Sequence, residues 1–303
     1  MDKGYAIERY HSAASLLPSR WQRLALQLPE EQQGIAEELR LRAGQPITVL
    51  LPSGEIYPVS DMSTVVMPND LEQICDTVTG YSRYAVAESI SRGFITAKGG
   101  FRLGICGTAV IKNGCNVNMR DISSITIRIA REVTGVCDGI FPELIKDGLF
   151  FSTLIVAPPG AGKTTLLRDL IRHLSDGTDS YPPQRVAVVD ERSEIAVMYQ
   201  GLPQMSIGTH TDVLDACPKS IGIPILVRSV NPQIIAVDEI TAEEDIRAIL
   251  SAANCGVQFL ATIHAADKQE LRRKPLYARL LRSNVFSNII TIGQNRQYTV
   301  ESL

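Results

Sequence analysis

Hydrophobic positions follow different patterns in the two halves of the chain. Up to about residue 131, apolar stripes at helical spacing are followed by glycine-rich stretches in which apolar and polar residues alternate. This combination predicts helices on one face of an antiparallel sheet. From Leu149 onward, short continuous apolar runs alternate with helical segments, which is typical of a mostly parallel sheet with both faces covered. We therefore predict a smaller α+β domain over residues 1–132, followed by an α/β domain over residues 133–303.

The first half contains two predicted helical segments before its sheet. One begins at Ser19 and continues to Leu39, and the other begins at Pro68 and continues to about Ser91. Residues 93–131 alternate in polarity and carry many glycines, which predicts short strands joined by tight turns.

A glycine-rich loop follows the first predicted strand of the second domain. The strand covers residues 150–156, the loop runs from Ala157 to Thr164 with the sequence APPGAGKT, and Leu166 then opens a stripe at helical spacing. In such a strand, loop and helix, backbone N–H groups and the helix N-terminus point at one spot and favour a bound phosphate. Ala157 stands where the usual pattern has Gly, and a plain structural turn is the alternative interpretation.

Each part of this loop has a predicted task toward a nucleotide triphosphate with Mg²⁺. Lys163 neutralises the β- and γ-phosphates, and the hydroxyl of Thr164 ligates Mg²⁺. Thr165 is a further candidate phosphate contact. The predicted nucleotide-binding residues are Pro159, Gly160, Ala161, Gly162, Lys163, Thr164 and Thr165.

Two acids follow a second buried strand, predicted over residues 234–237. Asp238, at the end of that strand, is predicted to hold Mg²⁺ through a water molecule, and Glu239 is predicted to polarise the attacking water. A solvated acidic turn is the alternative, but two adjacent acids after a core strand would repel each other there. Thr241 and Glu244 have the spacing of a capping box for the next helix.

Two further predicted strands end in polar residues. Residues 185–189 lead into the acidic segment 190–194, and residues 258–263 lead into His264. Because the carboxyl ends of parallel strands share one edge of a sheet, these groups are expected near the γ-phosphate. Glu194 is a candidate for an extra water-positioning acid, and His264 is a candidate sensor of the γ-phosphate, with a purely structural histidine as the alternative.

Composition limits the classes of partner and the compartment. Thirty Lys and Arg against 33 Asp and Glu leave a net charge of −3, so no overall basic field favours nucleic acid or an anionic membrane. Six scattered cysteines include no C-x-x-C pair, which predicts reduced thiols in a cytoplasmic protein and no zinc site. No apolar stretch is long enough for a spanning helix. The one basic cluster, residues 268–282, is a solvated helix face or a docking surface for an acidic partner.

The order of the polar segments resembles that of the secretion-superfamily ATPases, which power type II and type IV secretion systems and pili. The four segments that carry this resemblance are residues 157–164, 190–194, 234–239 and 262–265. Within that group the chain is most similar to the stage III sporulation AA family of endospore-forming bacteria. The segments that carry this closer resemblance are residues 37–42, 93–107, 122–131, 212–219 and 238–240.

The resemblance implies a RecA-like P-loop domain that hydrolyses ATP with Mg²⁺, in a homo-hexameric ring with nucleotide bound between the two domains of each subunit. It also implies a mother-cell protein docked on a membrane-embedded channel between mother cell and forespore, with no direct nucleic-acid partner. In these ATPases a catalytic cation comes largely from the amino-terminal domain, and Arg128 and Arg131 are the best-placed candidates. Arg102 and Arg228 are weaker candidates.

Two other functions remain open at this point. A nucleic-acid-stimulated helicase or recombinase motor could use the same fold, and it would gain ATP turnover when single-stranded nucleic acid is added. A nucleotide-binding scaffold could change conformation without appreciable hydrolysis, although Glu239 argues against it.

Overall fold

The chain divides into two units, Met1–Arg131 and Glu132–Leu303. The computed structural model describes residues 3–59, 62–80, 90–91, 93–266, 268–293 and 297–303. None of the helices in these residues is both long enough and apolar enough to cross a membrane.

The first unit combines helices with a six-stranded sheet in which every strand pair is antiparallel. The strand order is β3-β2-β1-β6-β5-β4. The described elements are α1 Lys3–Ala14, α2 Ser19–Ala25, α3 Glu30–Ile35, β1 Glu38–Arg42, β2 Thr48–Leu51, β3 Gly54–Ile56, α4 Pro68–Val78, β4 Phe94–Ala97, β5 Phe101–Lys112 and β6 Cys115–Arg128.

The predicted helix from Ser19 to Leu39 is wrong in its second half. Pro29 ends the first stripe and starts a separate short helix, because proline fits a helix start but not a helix interior. Leu39 then lies in β1, where it is buried and pairs with strands on both sides. The apolar spacing suited a helix, but pairing with strands distant in sequence decided the structure.

The other predicted helix and the predicted strands of the first unit are present, but their lengths differ from the prediction. Helix α4 begins at Pro68 as predicted and ends at Val78. Residues 81–89 of the predicted segment lie outside the described residues. The predicted short strands are wrong, since β5 and β6 span 12 and 14 residues. They are joined through Asn113 and Gly114, both with positive φ, as a tight hairpin turn requires.

The second unit is built on a seven-stranded sheet with the order β13-β10-β14-β15-β9-β16-β17. All neighbouring pairs in it are parallel except β16 with β17. Its elements are a 3₁₀ turn Phe141–Leu144, β7 Ile145–Lys146, β8 Leu149–Phe150, β9 Thr153–Ala157, α5 Lys163–Asp176, β10 Val186–Asp190, β11 Met198–Tyr199, β12 Leu202–Pro203, β13 Thr211–Asp215, α6 Lys219–Ser229, β14 Ile234–Val237, α7 Glu243–Ala253, β15 Gln258–His264, α8 Lys268–Arg273, α9 Pro275–Arg282, β16 Asn288–Ile292 and β17 Tyr298–Ser302.

Apolar side chains leave both faces of this sheet and form two separate cores. In β9, Ile155 points into the core that contains α5, whereas Leu154 and Val156 point into the core that contains α6 and α7. Helices therefore cover both faces, which is why the strands are continuous apolar runs. The parallel strands β9, β10, β14 and β15 end at one edge of the sheet, where the candidate site lies.

The predicted capping box before α7 is wrong, because the acid that caps the helix is Asp245 and not Glu244. The carboxylate of Asp245 accepts hydrogen bonds from the backbone N–H groups of Thr241 and Ala242, each at 3.2 Å. Glu244 instead pairs with Arg247 at 2.6 Å on the exposed side of the helix. The start of α7 at Glu243 moves the capping position one residue along the chain.

Candidate functional site

The glycine-rich loop joins the end of β9 to the start of α5. Gly160 and Gly162 have φ angles of 75° and 98°, a conformation that a residue with a Cβ rarely adopts. Gly162 directly precedes the first residue of the helix. Ala157 is the buried last residue of β9 and has no positive φ, so alanine in place of the usual glycine adds no backbone strain.

Lys163 is the first residue of α5, and its side chain is buried. Its Nζ donates to the main-chain oxygens of Ala157 at 2.7 Å and Pro158 at 2.8 Å, and to Nδ1 of His264 at 2.7 Å. Burial lowers the pKa of Lys163, and the negative charge of Glu239 opposes this effect. Loop carbonyls and an imidazole thus take the place of water around the ammonium group.

Glu239 is connected to both sides of the site. Its carboxylate contacts Nε2 of His264 and lies 2.7 Å from Nη1 of Arg192. Its backbone N–H donates to Oγ1 of Thr262 at 2.9 Å. Because Nδ1 of His264 accepts from Lys163, the ring proton is assigned to Nε2, facing Glu239. A single imidazole therefore bridges the loop lysine and the acid.

Asp190 turns the chain after β10 so that Glu194 reaches the same region. Its carboxylate accepts hydrogen bonds from the backbone N–H groups of Glu194 at 2.8 Å, Ile195 at 3.0 Å and Ala196 at 2.9 Å. Burial raises the pKa of Asp190, and these hydrogen bonds oppose the rise. The role of Asp190 here is to shape the main chain that carries Glu194.

Asp238 follows β14 at the same edge and is 5% exposed. Burial raises the pKa of Asp238 to about 6, and the ammonium group of Lys219 limits the rise. Nζ of Lys219 lies 3.3 Å from Oδ1 of Asp238 and also pairs with Glu191. Lys219 is thus the counter-charge of the candidate metal carboxylate.

Binding of Mg²⁺ to the nucleotide-free protein should weaken as the pH falls through about 6. A protonated Asp238 is a poor ligand for a hard cation. A pKa of about 6 leaves roughly one side chain in ten ionised at pH 5, so we expect about tenfold lower affinity at pH 5 than at pH 7. Mn²⁺ binding followed by electron paramagnetic resonance measures this, with Asp238→Asn as the control that removes the pH dependence. Equal affinity at the two pH values would contradict the role of Asp238.

A cavity of about 370 Å³ lies between the loop and the strand ends. Ala161 is the one predicted nucleotide-binding residue outside its lining, because it packs against the core. Thr164 and Asp238 offer oxygen donors to the same space, and oxygen is the ligand atom that Mg²⁺ prefers. The lining residues are Pro159, Gly160, Gly162, Lys163, Thr164, Thr165, Glu194, Asp238, Glu239, Thr262 and His264.

Sequence patterns assigned no role to two cations that the structure brings to this site. Arg192 belongs to the acidic segment after β10, and those patterns assigned a role only to an acid of that segment, Glu194. Lys219 is the first residue of α6 and is 3% exposed. A cation in the first turn opposes the helix dipole, and that mismatch is the signal that points to a buried acidic partner.

Replacement of Lys219 by Met should lower the free energy of unfolding by about 3 kcal/mol at neutral pH, because it leaves a buried carboxylate without its counter-charge. Urea unfolding measures the loss. Lys219→Arg, which keeps the charge, should lose less. Arg228→Met, an exposed change on the same helix, is the matched control. If Lys219→Met and Arg228→Met unfold at the same urea concentration, the pairing with Asp238 contributes nothing.

Arg128 and Arg131, the candidate catalytic cations, lie in the first unit. Arg128 ends β6, and its side chain is 69% exposed and lies 4.0 Å from Oε1 of Glu38. Nη2 of Arg131 donates to the main-chain oxygen of Gln33 at 3.2 Å, and burial lowers the pKa of Arg131. Their role toward a nucleotide stays a prediction.

The basic cluster at residues 268–282 is partly neutralised by acids of its own unit. Such exposed pairs stabilise the fold little, but they reduce the positive field that an acidic partner would meet, which favours a solvated helix face. The pairs are Lys268 with Glu301 at 3.0 Å, Lys274 with Glu270 at 2.7 Å, and Arg279 with Glu243 at 2.8 Å.

Two solved structures, of an ATPase and of a pilus retraction motor, have a similar fold. The ATPase DotB of Legionella pneumophila is 18% identical with a TM-score of 0.54, over 88% of this chain and 75% of that one. The pilus retraction motor PilT with bound ADP is 16% identical with a TM-score of 0.56, over 90% of this chain and 81% of that one. The predicted fold class, a RecA-like domain with a mainly parallel sheet after a smaller α+β domain, is confirmed.

Comparison with known sequences covers nearly the whole chain. The family model for Sporulation stage III, protein AA, matches residues 8–300. Stage III sporulation protein AA of Bacillus subtilis (strain 168) is 35% identical over 281 residues, which are 93% of this chain and 90% of that protein. The resemblance inferred from the sequence segments is therefore confirmed, and the chain belongs to the Sporulation stage III, protein AA, family.

Proposed function

We propose that this protein is an ATP-hydrolysing motor of the secretion-ATPase type. The observation that carries the proposal is a single cavity lined by the glycine-rich loop, Lys163, Asp238, Glu239 and His264. The fold shared with DotB and PilT, which are an ATPase and a pilus retraction motor, supports it.

The loop and its lysine bind the triphosphate in this proposal. Backbone N–H groups around Gly160 and Gly162 receive phosphate oxygens, and Lys163 leaves its loop carbonyls to contact the β- and γ-phosphates. Thr164 and Asp238 hold Mg²⁺, directly or through water. When bound, Mg²⁺ neutralises charge that develops on the phosphates.

The remaining groups act on the attacking water. Glu239 orients the water and accepts its proton, while Glu194 lines the same cavity as a second positioning acid. His264 lies between Lys163 and Glu239, so it can register whether the lysine is engaged by a γ-phosphate. Arg128 or Arg131 of the first unit would supply the further cation that stabilises phosphoryl transfer.

The motor is proposed to act as a homo-hexameric ring in the mother cell, docked on a membrane-embedded sporulation channel toward the forespore. The family membership and the sporulation name of the Bacillus subtilis relative support this location. No nucleic acid takes part in the proposed reaction.

A nucleotide-dependent ring would separate a motor from a switching scaffold. We expect the native mass to rise from a smaller species to a hexamer when a non-hydrolysable ATP analogue and Mg²⁺ are added, because nucleotide held between the two domains of each subunit would fix those domains in the arrangement that the ring requires. Native mass spectrometry with and without the analogue measures this, and Lys163→Ala with the analogue is the control. A chain that stays monomeric in the analogue, yet binds it, would favour the scaffold.

A further inference from the structure

A second group of potential metal ligands lies where the segment around Cys137 contacts α5, beyond the first turn of the helix that follows the glycine-rich loop. It consists of Cys137, Asp138, Asp169 and His173, each of which offers one donor atom within 4.8 Å of the donor atoms of the others. Asp169 and His173 are four residues apart and so share one face of α5. Cys137 and Asp138 come from the segment that precedes the 3₁₀ turn. The cluster is independent of the proposed ATPase function.

Three of these donors form a triangle of the size that one metal ion requires. Nδ1 of His173 lies 3.2 Å from Sγ of Cys137 and 3.8 Å from Oδ1 of Asp169. Sγ of Cys137 lies within 4.8 Å of the ligand oxygen of Asp169, which closes the triangle. Ligands of a tetrahedral zinc ion, bound at about 2.0–2.3 Å, lie roughly 3.2–3.8 Å from one another.

Asp138 orients the imidazole from the other side. Its Oδ1 lies 2.9 Å from Nε2 of His173, so it can accept the Nε2 proton and leave the Nδ1 lone pair facing the triangle. A carboxylate bound to the second ring nitrogen is the usual support of a metal-binding histidine. The main-chain oxygen of Asp169, 3.0 Å from Nδ1, is one more electron-rich atom at the same point.

The guanidinium group of Arg172 provides positive charge beside the triangle. Nη2 of Arg172 lies 2.7 Å from Oδ1 of Asp169 and 3.2 Å from Nδ1 of His173. The Arg172 side chain is 25% exposed, and its length allows it to turn outward. A cavity of about 520 Å³ is lined by Asp138 and His173, the two members of the cluster that contact each other through Nε2.

Cys137 lacks the surroundings of a catalytic thiol. The side chain is buried, and burial together with Asp169 raises the pKa of the thiol. A thiol in such surroundings is not a nucleophile at neutral pH. Donation of its sulfur to a Lewis acid that takes the place of the proton is a chemistry still available to it.

We propose that Cys137, Asp169 and His173 bind one zinc ion, with Asp138 supporting the histidine and Arg172 moving outward. The mixed sulfur, nitrogen and oxygen donors favour zinc over Mg²⁺ or Ca²⁺. The ion would fasten the segment around Cys137 to α5. At present Asp169 makes that link by accepting hydrogen bonds from the backbone N–H groups of Gly135 and Cys137. Sequence spacing did not predict this site, because the thiol and the imidazole are 36 residues apart.

Titration of the metal-free full-length chain with Co²⁺ and then Zn²⁺ tests the proposal. We expect one Co²⁺ per chain to give a thiolate-to-cobalt absorption band, displaced by Zn²⁺, and a higher melting temperature with Zn²⁺. A Co²⁺ ion at the Asp238 site, whose described lining contains no cysteine, adds no such band. Cys137→Ser should remove the band and weaken Zn²⁺ binding at least about tenfold. Cys255→Ser, which alters an exposed cysteine, is the matched control and should change neither. Asp138→Asn should weaken binding by about 10- to 100-fold.

Arg172→Gln keeps the proposal falsifiable even if a ligand variant fails to fold. Without a guanidinium to displace, this variant should bind Zn²⁺ more tightly than the unaltered chain, an effect that misfolding cannot produce. The proposal is overturned if titration of the unaltered chain with Co²⁺ gives no saturable thiolate-to-cobalt band. It is also overturned if the absorption band survives Cys137→Ser and instead disappears when the exposed Cys106 or Cys115 is replaced.

Discussion

Replacement of Lys163 by Ala should abolish ATP binding at concentrations that saturate the unaltered chain. Among the described residues that line the cavity, Lys163 is the one lysine or arginine. Two charge-assisted hydrogen bonds to phosphate, each worth about 1.5–3 kcal/mol, correspond to a loss of affinity of about 100-fold or more. Equilibrium binding of a fluorescent ATP analogue measures the affinity, and the steady-state ATPase rate should fall with it.

The buried position of Lys163 calls for a control on folding. The variant leaves the main-chain oxygens of Ala157 and Pro158 without their present donor, so circular dichroism and the melting temperature should accompany the binding data. Lys146→Ala, an exposed lysine of the same unit, should bind ATP normally. A folded Lys163→Ala chain with unchanged affinity would mean that the cavity does not hold the phosphates.

Strand ends in the second unit could be predicted because a strand buried on both faces is a continuous apolar run that stops at its first charged residue. Residues 234–237 match β14, and the predicted strands 185–189 and 258–263 differ from β10 and β15 by at most one residue at either end. In the first unit, Leu39 fits a helical stripe equally well. Its place in β1 depends on pairing with β6, which lies far along the chain, and local spacing carries no information about that.

The candidate site was predictable only where main-chain geometry fixes the side chains. The loop, Asp238 and Glu239 follow strands directly, so sheet topology alone brings them together. Lys219 and Arg192 reach the same acids with long side chains from other elements, and no spacing rule describes such contacts. Asp245 was missed for a different reason: α7 begins at Glu243, so Asp245 and not Glu244 occupies the capping position.

The contacts of His264 connect phosphate binding at the glycine-rich loop to Glu239, the proposed general base. Nδ1 of His264 now accepts from Lys163, and Nε2 faces Glu239. When Lys163 turns to a phosphate, the imidazole loses its donor and Glu239 loses part of its surroundings. Arg192 then remains as the cation that holds the Glu239 carboxylate. In the proposed motor, ATP binding and water activation are thus linked through one imidazole ring, and a change of Glu239 alone should separate them.

Replacement of Glu239 by Gln should preserve ATP binding and trap the bound nucleotide unhydrolysed. Glutamine has nearly the same shape, and its single amide oxygen can accept from Arg192 or from Nε2 of His264, though not from both. It cannot accept a proton from water. Loss of a general base lowers turnover by about 100- to 10,000-fold, while affinity should stay close to that of the unaltered chain. Rapid-quench hydrolysis and chromatography of the bound nucleotide measure the two effects. Glu244→Gln, an exposed change on α7, is the control and should hydrolyse ATP normally. Full turnover in the Glu239→Gln variant would show that Glu239 is not the general base and that its role is structural.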